Sequence, residues 1–252
     1  MAEDGQGLTV QAVNSIHGRG PVFHASLPYG WPGANEMRNR CGTKGAGDKH
    51  RLLSALWDHP VIRESPLWQR CQASNGTVLP IQVVGGLLGR PQLLLGEGPG
   101  PAISFSEGGG KVWAALCGAE SAIGIDVANP DEFQREYPFQ RVFQPQELRQ
   151  ALKLVGGELE TAAALLWSIK EAVVKALGCA FHLLDPRQIT VYPAAGRAVG
   201  GAGGYTFPVG LSGKALMRFP LTARGSLWVR SLPQRKMWLS IALLNRRPTG
   251  HE

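Results

Sequence analysis

The segment LLWSIKEAVVKALG, residues 165–178, has the apolar periodicity of an α-helix, yet it also carries charged side chains. Because residues four apart share a helix face, Trp167, Glu171 and Lys175 lie along one side. A second, apolar stripe, able to pack against a core, contains Leu166, Ile169, Val173 and Leu177. We therefore expect a helix that packs through one stripe and presents a carboxylate beside an ammonium on the other. The alternative is an ordinary surface ion pair between Glu171 and Lys175.

The sequence around this segment predicts an α+β fold, with hairpins and a few helices in mixed order. The predicted helices are 48–57, 145–155 and 158–177. The predicted strands are 77–84, 102–106, 111–117, 121–130, 187–193, 226–232 and 236–244. Asp48 suits the N-cap of the first helix, and Gly178 suits the residue that ends the last.

Composition indicates a folded, basic protein. The 252 residues are 44% hydrophobic and 18% charged, and the net charge is +7. A positive net charge favours anionic partners, although a mildly basic solvated surface explains it equally well. The four cysteines form no CxxC pair or zinc site, as is typical of a reducing compartment. The sequence has neither a signal pattern nor an apolar run of membrane-spanning length, so we expect a cytoplasmic protein without a membrane partner.

A second carboxylate, Asp126, follows the uncharged residues of the strand AIGID. An acid at the end of a buried strand is costly unless it has a partner. Asp126 and Glu171 together could hold Mg²⁺, which prefers oxygen ligands and serves phosphate chemistry. Alternatively, Asp126 caps the turn at Asn129-Pro130. The residues alone leave both readings open.

The pair IGIDVANP and WSIKEAVVKALG resembles the two-part signature of the 4′-phosphopantetheinyl transferase superfamily. Between the two parts, RVFQPQEL (141–148) is similar to the family's F-x-x-x-E segment. Upstream, ISFSEGGGKVWAAL aligns with its Ser-His hairpin, and Gly-Arg-Pro (89–91) stands where long members often have Gly-Lys-Pro. KMWLSIALL is similar to the closing strand. The likeness spans about 77–244 and is to the long, single-chain surfactin-synthetase-activating type.

The resemblance implies a Mg²⁺-dependent enzyme that moves the phosphopantetheine arm of coenzyme A to a serine of an apo acyl or peptidyl carrier protein. In that reaction Asp126 and Glu171 would bind Mg²⁺, and Glu171 or a water that it positions would be the general base. Lys175 would neutralise developing negative charge, with Lys170 as a weaker second candidate. The resemblance also implies two similar α+β halves in a pseudo-twofold monomer. We place a divergent, CoA-binding N-terminal half at 1–120 and a half with the metal site and catalytic helix at 121–252.

The sequence departs from the family pattern at two positions. Ala128 stands where many members have a second acid, which removes one metal ligand. Glu147, Glu107 or Asp131 could substitute for it. Glu107 itself stands where the family has a histidine that helps to hold a CoA phosphate, and a carboxylate there would repel phosphate. Either Glu107 faces the metal ion or the CoA site is degenerate; we favour a working enzyme.

Several residues are candidates for binding CoA phosphates. Arg90 comes first, from its Gly-Arg-Pro context, followed by Arg51 and Lys44. A solvated surface charge is the alternative for each of them. Ser106, with the backbone of the adjoining glycine turn, could cradle a phosphate, or the turn could simply close a hairpin.

Two other functions compete with the enzyme. The first is a catalytically impaired paralogue that binds a carrier protein or a nucleotide, which the changes at 107 and 128 motivate. The second is a nucleic-acid binder, which rests on charge alone, and we expect no nucleic-acid partner. Which carrier protein is served cannot be read from the sequence.

Overall fold

The computed structural model describes residues 2–3, 8–13, 16, 21–30, 47–69, 81–86, 90–134, 136–197, 203–220, 222 and 227–245. Lys44 lies outside these ranges. The chain divides into two compact units, Met1–Ser121 and Ala122–Glu252. Each unit combines antiparallel strands with helices, so the predicted α+β class is confirmed.

The described residues of the first unit form a five-stranded sheet, a three-stranded sheet and three helices. Its strands are β1 (Ala2–Glu3), β2 (Thr9–Val13), β3 (Val22–Pro28), β4 (Ile81–Gly85), β5 (Pro91–Leu95), β6 (Gly98–Pro99), β7 (Ala102–Gly108) and β8 (Lys111–Cys117). Its helices are α1 (Asp48–Asp58), α2 (Pro60–Arg63) and α3 (Pro66–Gln69). The strand orders are β1-β2-β3-β8-β7 and β4-β5-β6.

Helix α1 packs on the five-stranded sheet because its leucines share one face. Leu52, Leu53 and Leu56 are buried in the core of this unit, as their spacing predicts. The predicted N-cap was wrong by one residue. Gly47 is the N-cap, and Asp48 is the first helical residue. There Asp48 still favours the helix through the dipole, and it pairs with Arg51.

The β7–β8 hairpin confirms the predicted pairing of 102–106 with 111–117. Ser106 lies opposite Trp113 and Glu107 opposite Val112. The turn between the strands contains Gly109 and Gly110, with φ of 59° and 72°. Left-handed backbone of this kind favours glycine, which explains the glycine run in the sequence.

The second unit contains a long helix and a six-stranded sheet. Its strands are β9 (Ser121–Ala128), β10 (Ile189–Val191), β11 (Gly196–Arg197), β12 (Tyr205–Leu211), β13 (Leu227–Gln234) and β14 (Met237–Asn245). Its helices are α4 (Phe139–Val142), α5 (Pro145–Leu154), α6 (Leu159–Leu177) and α7 (Gly213–Arg218), with 3₁₀ turns at Pro130–Glu132 and Pro186–Gln188. The order is β10-β12-β13-β14-β9, and β11 pairs with β12.

The strand predicted at 187–193 is shorter than expected. Residues 186–188 form a 3₁₀ turn, because Pro186 sits at its first position and the Asp185 carboxylate accepts a hydrogen bond from the Arg187 N–H. Ladder pairing therefore begins only at Ile189. The other predicted helices and the closing hairpin agree with the structure to within a residue or two.

Helix α6 lies very close to β9 because residue 124 is glycine. A Cβ at Gly124 would stand 1.9 Å from the carbonyl oxygen of Ala172. A buried chain of hydroxyls also joins the helix to the sheet: Ser168 Oγ lies 2.7 Å from Ser240 Oγ, which lies 2.8 Å from Ser231 Oγ. The glycine allows the short distance between α6 and the sheet, and the hydroxyl contacts fix which face of the helix is turned toward it. No helix among the described residues is both long and apolar enough to span a membrane.

Candidate functional site

Helix α6 presents a single polar face. From Ala162 to Leu177, a stretch that the structure describes in full, every residue is buried except Trp167, Glu171 and Lys175. The Trp167 ring stacks on Phe181, with the ring centroids 4.9 Å apart. The periodicity of the sequence therefore predicted correctly which side chains share the open face.

Lys175 joins this face to the end of β9. Its Nζ lies 2.7 Å from Oδ1 of Asp126 and donates a further hydrogen bond to the carbonyl of Ile125 at 3.1 Å. Asp126 is only 7% exposed, so its charge needs a partner, as its place in the sequence suggested. The ammonium supplies part of that compensation.

Glu171 belongs to the same cluster. Burial and the negative charge of Asp126, opposed by Lys175, together raise the pKa of Glu171 to about 7. The structure thus brings together the three side chains that the sequence placed in one site. Burial and the charge of Asp126 outweigh the effect of Lys175 on Glu171, so a bound cation would favour the charged form of this carboxylate.

The donor set fits Mg²⁺. Among the described residues, no group of three or more His, Cys, Asp or Glu side chains is placed to hold a metal ion. Two carboxylates nevertheless suffice for this ion, because it keeps several waters and takes further oxygens from substrate phosphates. Asp126 and Glu171 would hold it, and the incomplete compensation of Glu171 is what a bound cation would relieve.

Lys170 does not face this site. Its Nζ lies 2.6 Å from Oε1 of Glu147, and neither side chain is more than 1% exposed. The same ammonium donates to the carbonyls of Val142, Pro186 and Ile189 at 3.2, 2.8 and 2.9 Å. A fully bonded interior ammonium cannot neutralise charge on a substrate, so the suggestion that Lys170 is a second catalytic cation was wrong.

Glu147 is likewise committed to the interior. One carboxylate oxygen accepts hydrogen bonds from Lys170 and the Gln144 N–H, and the other accepts from the Val191 N–H at 3.1 Å. It therefore cannot replace the acid missing at Ala128, as the sequence had left open. Asp131 lies in the 3₁₀ turn, which the Asn129 side chain caps by accepting from the Asp131 N–H.

Glu107 has a different neighbourhood, in the first unit. Its Oε1 lies 2.7 Å from Nζ of Lys49, and its Oε2 lies 3.5 Å from the hydroxyl of Tyr29. The two charged side chains are 54% and 52% exposed. A role for Glu107 as a metal ligand stays a prediction, whereas its ion pair with Lys49 had no signal in the sequence.

The remaining CoA candidates are all in the first unit. Arg51 pairs with Asp48 at 3.2 Å, and Ser106 is buried in β7. Arg90 precedes β5, and its carbonyl accepts a hydrogen bond from Gly86. Lys44 lies outside the described residues. Their roles in CoA binding stay predictions.

Tyr137 was not singled out from the sequence. Burial and the negative charges of Glu171 and Glu132 together raise the pKa of Tyr137 to about 12. Its ring packs against Phe133 and Phe139, with centroids 4.8 and 5.2 Å away. Tyr137 is therefore near enough to Glu171 for the two groups to interact electrostatically. No sequence signal identifies Tyr137, because its proximity to Glu171 depends on the fold of the loop after β9.

Comparison with known proteins agrees with the motifs. The family model ACPS, described as the 4′-phosphopantetheinyl transferase superfamily, matches residues 122–202. No curated protein matches the chain.

Among solved structures, the apo-ACPS structure of Chronobacterium ammoniagenes is 21% identical over 49% of this chain and 95% of its own, with a TM-score of 0.39. The ACPS–CoA complex of the same organism is 20% identical over 50% and 96%, with a TM-score of 0.37. The holo-[acyl-carrier-protein] synthase (AcpS) of Neisseria meningitidis is 19% identical over 49% and 97%, with a TM-score of 0.35.

The matched residues include Asp126, Glu171 and Lys175, which the structure gathers at one face of α6. The narrower assignment to the long, single-chain type stays a prediction. The resemblance to the 4′-phosphopantetheinyl transferase superfamily that the two motifs indicated is confirmed over residues 122–202.

Proposed function

We propose that the protein transfers the 4′-phosphopantetheine arm of coenzyme A to a serine of an apo acyl or peptidyl carrier protein and releases 3′,5′-ADP. The observation that carries the proposal is the cluster of Asp126, Glu171 and Lys175, with Lys175 Nζ 2.7 Å from Asp126. This cluster lies within the segment that matches the superfamily. Both the substrate and the carrier-protein partner come from that family likeness.

Glu171 is suited to be the general base. Without a metal ion, burial and the charge of Asp126, opposed by Lys175, raise the pKa of Glu171 to about 7; a bound Mg²⁺ would lower it and favour the carboxylate form that accepts a proton. The serine hydroxyl of the carrier protein gives its proton to this carboxylate, directly or through a water. The serine oxygen then forms a bond to the β-phosphorus of CoA, and the bond from that phosphorus to the departing 3′,5′-ADP breaks.

Lys175, positioned by Asp126, stabilises the negative charge that develops on the phosphoryl oxygens during this step. Lys175, whose side chain is 30% exposed, would neutralise the negative charge that a phosphoryl oxygen gains, and its ion pair with Asp126 holds it in place. A magnesium ion held by Asp126 and Glu171 would supply further positive charge to the pyrophosphate. Trp167, at the other end of the same face, offers an apolar wall beside the site.

A labelling assay tests this function directly. The purified protein is incubated with a fluorescent CoA analogue, Mg²⁺ and apo carrier proteins from fatty-acid, polyketide, peptide-synthetase and aminoadipate systems. We expect fluorescent labelling of at least one carrier protein and none of the matched carrier whose acceptor serine is alanine. The Asp126→Asn protein should show strongly reduced labelling, while Lys153→Ala, which changes an exposed lysine of α5, should label like the wild type.

The alternative function is a binding module that has kept the fold without catalysis. Ala128 in place of an acid and Glu107 in place of a histidine favour it. Under this alternative the protein binds CoA or a carrier protein in a pull-down or calorimetric titration but labels none of the carriers. Binding without transfer would replace the enzymatic proposal with this one.

The remaining expectations follow from the same proposal. We expect the protein to act in the cytoplasm as a pseudo-twofold monomer of the long, single-chain type, without a membrane or nucleic-acid partner. Light scattering during size-exclusion chromatography tests the oligomeric state. Because the net charge of +7 by itself favours polyanions, duplex DNA serves as the control in the CoA-binding titrations.

A further inference from the structure

Glu107, in the β7–β8 hairpin, places a negative charge where the proposed function requires a phosphate to bind. Glu107 is the residue at which similar proteins carry a histidine that helps to hold a CoA phosphate. A lone carboxylate at that position would repel the phosphate. In this structure, however, the Glu107 carboxylate is not alone, because Lys49 Nζ lies 2.7 Å from its Oε1.

The ion pair places the positive charge of Lys49 directly beside residue 107 of the hairpin. Lys49 comes from the first turn of α1, and its side chain is 54% exposed. A lysine ammonium has three N–H donors and Glu107 occupies one, which leaves donors that can reach a ligand. An ion pair as exposed as this one adds little to folding stability, so replacing Lys49 should leave the fold intact.

Glu107 is placed to hold the lysine. A lysine is a compact charge on a long flexible stem, and ordering that stem costs entropy when a ligand binds. Glu107 sits on a strand in register with β8, and its other oxygen lies 3.5 Å from the hydroxyl of Tyr29, which donates toward it. The carboxylate therefore keeps the ammonium at the hairpin, and the Tyr29 hydroxyl adds a long, weak contact to its second oxygen.

We propose that Lys49, held in position by Glu107, binds a phosphate group of coenzyme A and takes the place of the histidine found in similar proteins. Lys49 is the binding residue, and Glu107 is a positioning residue that acts through it. The inference rests on the proposed function for the identity of the ligand. It adds a residue that the sequence did not single out, and it explains how the change at Glu107 is compatible with a phosphate ligand.

Calorimetric titration of the full-length protein with CoA tests the assignment without relying on turnover. Lys49→Ala should weaken CoA binding by roughly tenfold or more, as expected for loss of a charge-assisted hydrogen bond. In the labelling assay it should raise the KM for CoA and leave kcat largely unchanged. Lys153→Ala, an exposed lysine of the other unit, is the matched control and should bind CoA like the wild type. Thermal unfolding should confirm that Lys49→Ala folds normally.

A rescue experiment separates binding from a structural role. Replacing Glu107 with histidine in the Lys49→Ala protein should restore much of the lost CoA affinity, because it returns a donor to the hairpin. Dephospho-CoA locates the contact: if Lys49 meets the 3′-phosphate, the effect of Lys49→Ala should vanish with this ligand, and otherwise it should persist.

The failures are distinguishable. If the wild type labels carrier proteins but Lys49→Ala binds CoA equally well, the role of Lys49 is overturned and the proposed function stands. If Glu107→Gln weakens the response of transfer to Mg²⁺ and leaves CoA binding unchanged, Glu107 serves the metal and the positioning role is overturned. If the wild type neither binds CoA nor labels any carrier, the proposed function itself is overturned, and this inference with it.

Discussion

The ammonium of Lys170 lies 2.6 Å from Oε1 of Glu147 in the interior of the second unit, where both side chains are shielded from solvent. Lys170 belongs to the IKE motif on α6 and Glu147 to the F-x-x-x-E segment on α5, so the pair joins two sequence motifs. Lys170 also donates to the carbonyls of Pro186 and Ile189, and Glu147 also accepts from the backbone N–H of Val191 in β10. The pair therefore holds α5, β10 and the 3₁₀ turn around the helix that presents Glu171.

Breaking this pair should destabilise the protein severely. Lys170→Met leaves the Glu147 charge buried without its partner, and we expect a loss of about 3–5 kcal/mol in the free energy of unfolding, measured by urea denaturation. The double variant Lys170→Met/Glu147→Gln should recover part of the loss, because the unpaired charge is removed. A single variant as stable as the wild type would show that the pair does not hold this region together.

Gly124→Ala should separate α6 from β9. The added Cβ would meet the Ala172 carbonyl oxygen at 1.9 Å and the Ala176 nitrogen at 2.6 Å, and both belong to helix backbone that cannot rotate away. We expect a loss of about 1–3 kcal/mol in stability and a larger loss of transfer activity, since Asp126 follows two residues later. Gly85→Ala in β4, where a Cβ meets nothing within 4 Å, is the control. Equal behaviour of the two variants would argue against a tight helix–sheet contact.

Glu171→Gln should abolish most of the transfer activity while preserving the fold. The amide cannot accept the serine proton and is a poorer metal ligand, so a decrease of roughly 10²–10⁴-fold in kcat is expected. The half-saturating Mg²⁺ concentration should also rise. Circular dichroism checks the fold, and Glu64→Gln on the exposed surface of the first unit is the charge-matched control. Wild-type kcat in Glu171→Gln would exclude this carboxylate as the base.

His24 should make the stability of the protein depend on pH. Its side chain is buried in β3, its Nε2 has no hydrogen-bond partner among the described residues, and burial lowers the pKa of His24 to about 4 from an ordinary 6.5. The neutral form is therefore favoured on folding. Its contribution is complete above pH 6.5 and is lost as the pH falls toward 4, by about 3 kcal/mol in total.

Urea denaturation at several pH values checks this dependence. His24→Leu should lose less stability than the wild type between pH 6.5 and 4, whereas His182→Leu, at an exposed position, should follow the wild type. The same slope in all three proteins would show that other groups govern acid unfolding.

Local patterns in the sequence predicted much of the fold. The β7–β8 hairpin follows from alternating residues around a glycine turn, and the end of α6 follows from Gly178, which adopts φ of 72°. The open face of α6 follows from helical periodicity alone. Strand propensity was less reliable at 187–193, where a 3₁₀ turn that begins with Pro186 replaces the first part of the predicted strand.

The sequence alone shows that Trp167, Glu171 and Lys175 share one face, because an α-helix has a fixed period and that period is visible along the chain. Which partner each charged side chain contacts depends on the tertiary fold. Lys170 is next to Glu171 in the sequence, but its side chain points into the interior and pairs with Glu147. Glu107 forms an ion pair with Lys49. The members of each pair are far apart along the chain. They come together because a buried or partly buried charge needs a partner of opposite sign in the folded unit, and local sequence patterns do not identify that partner.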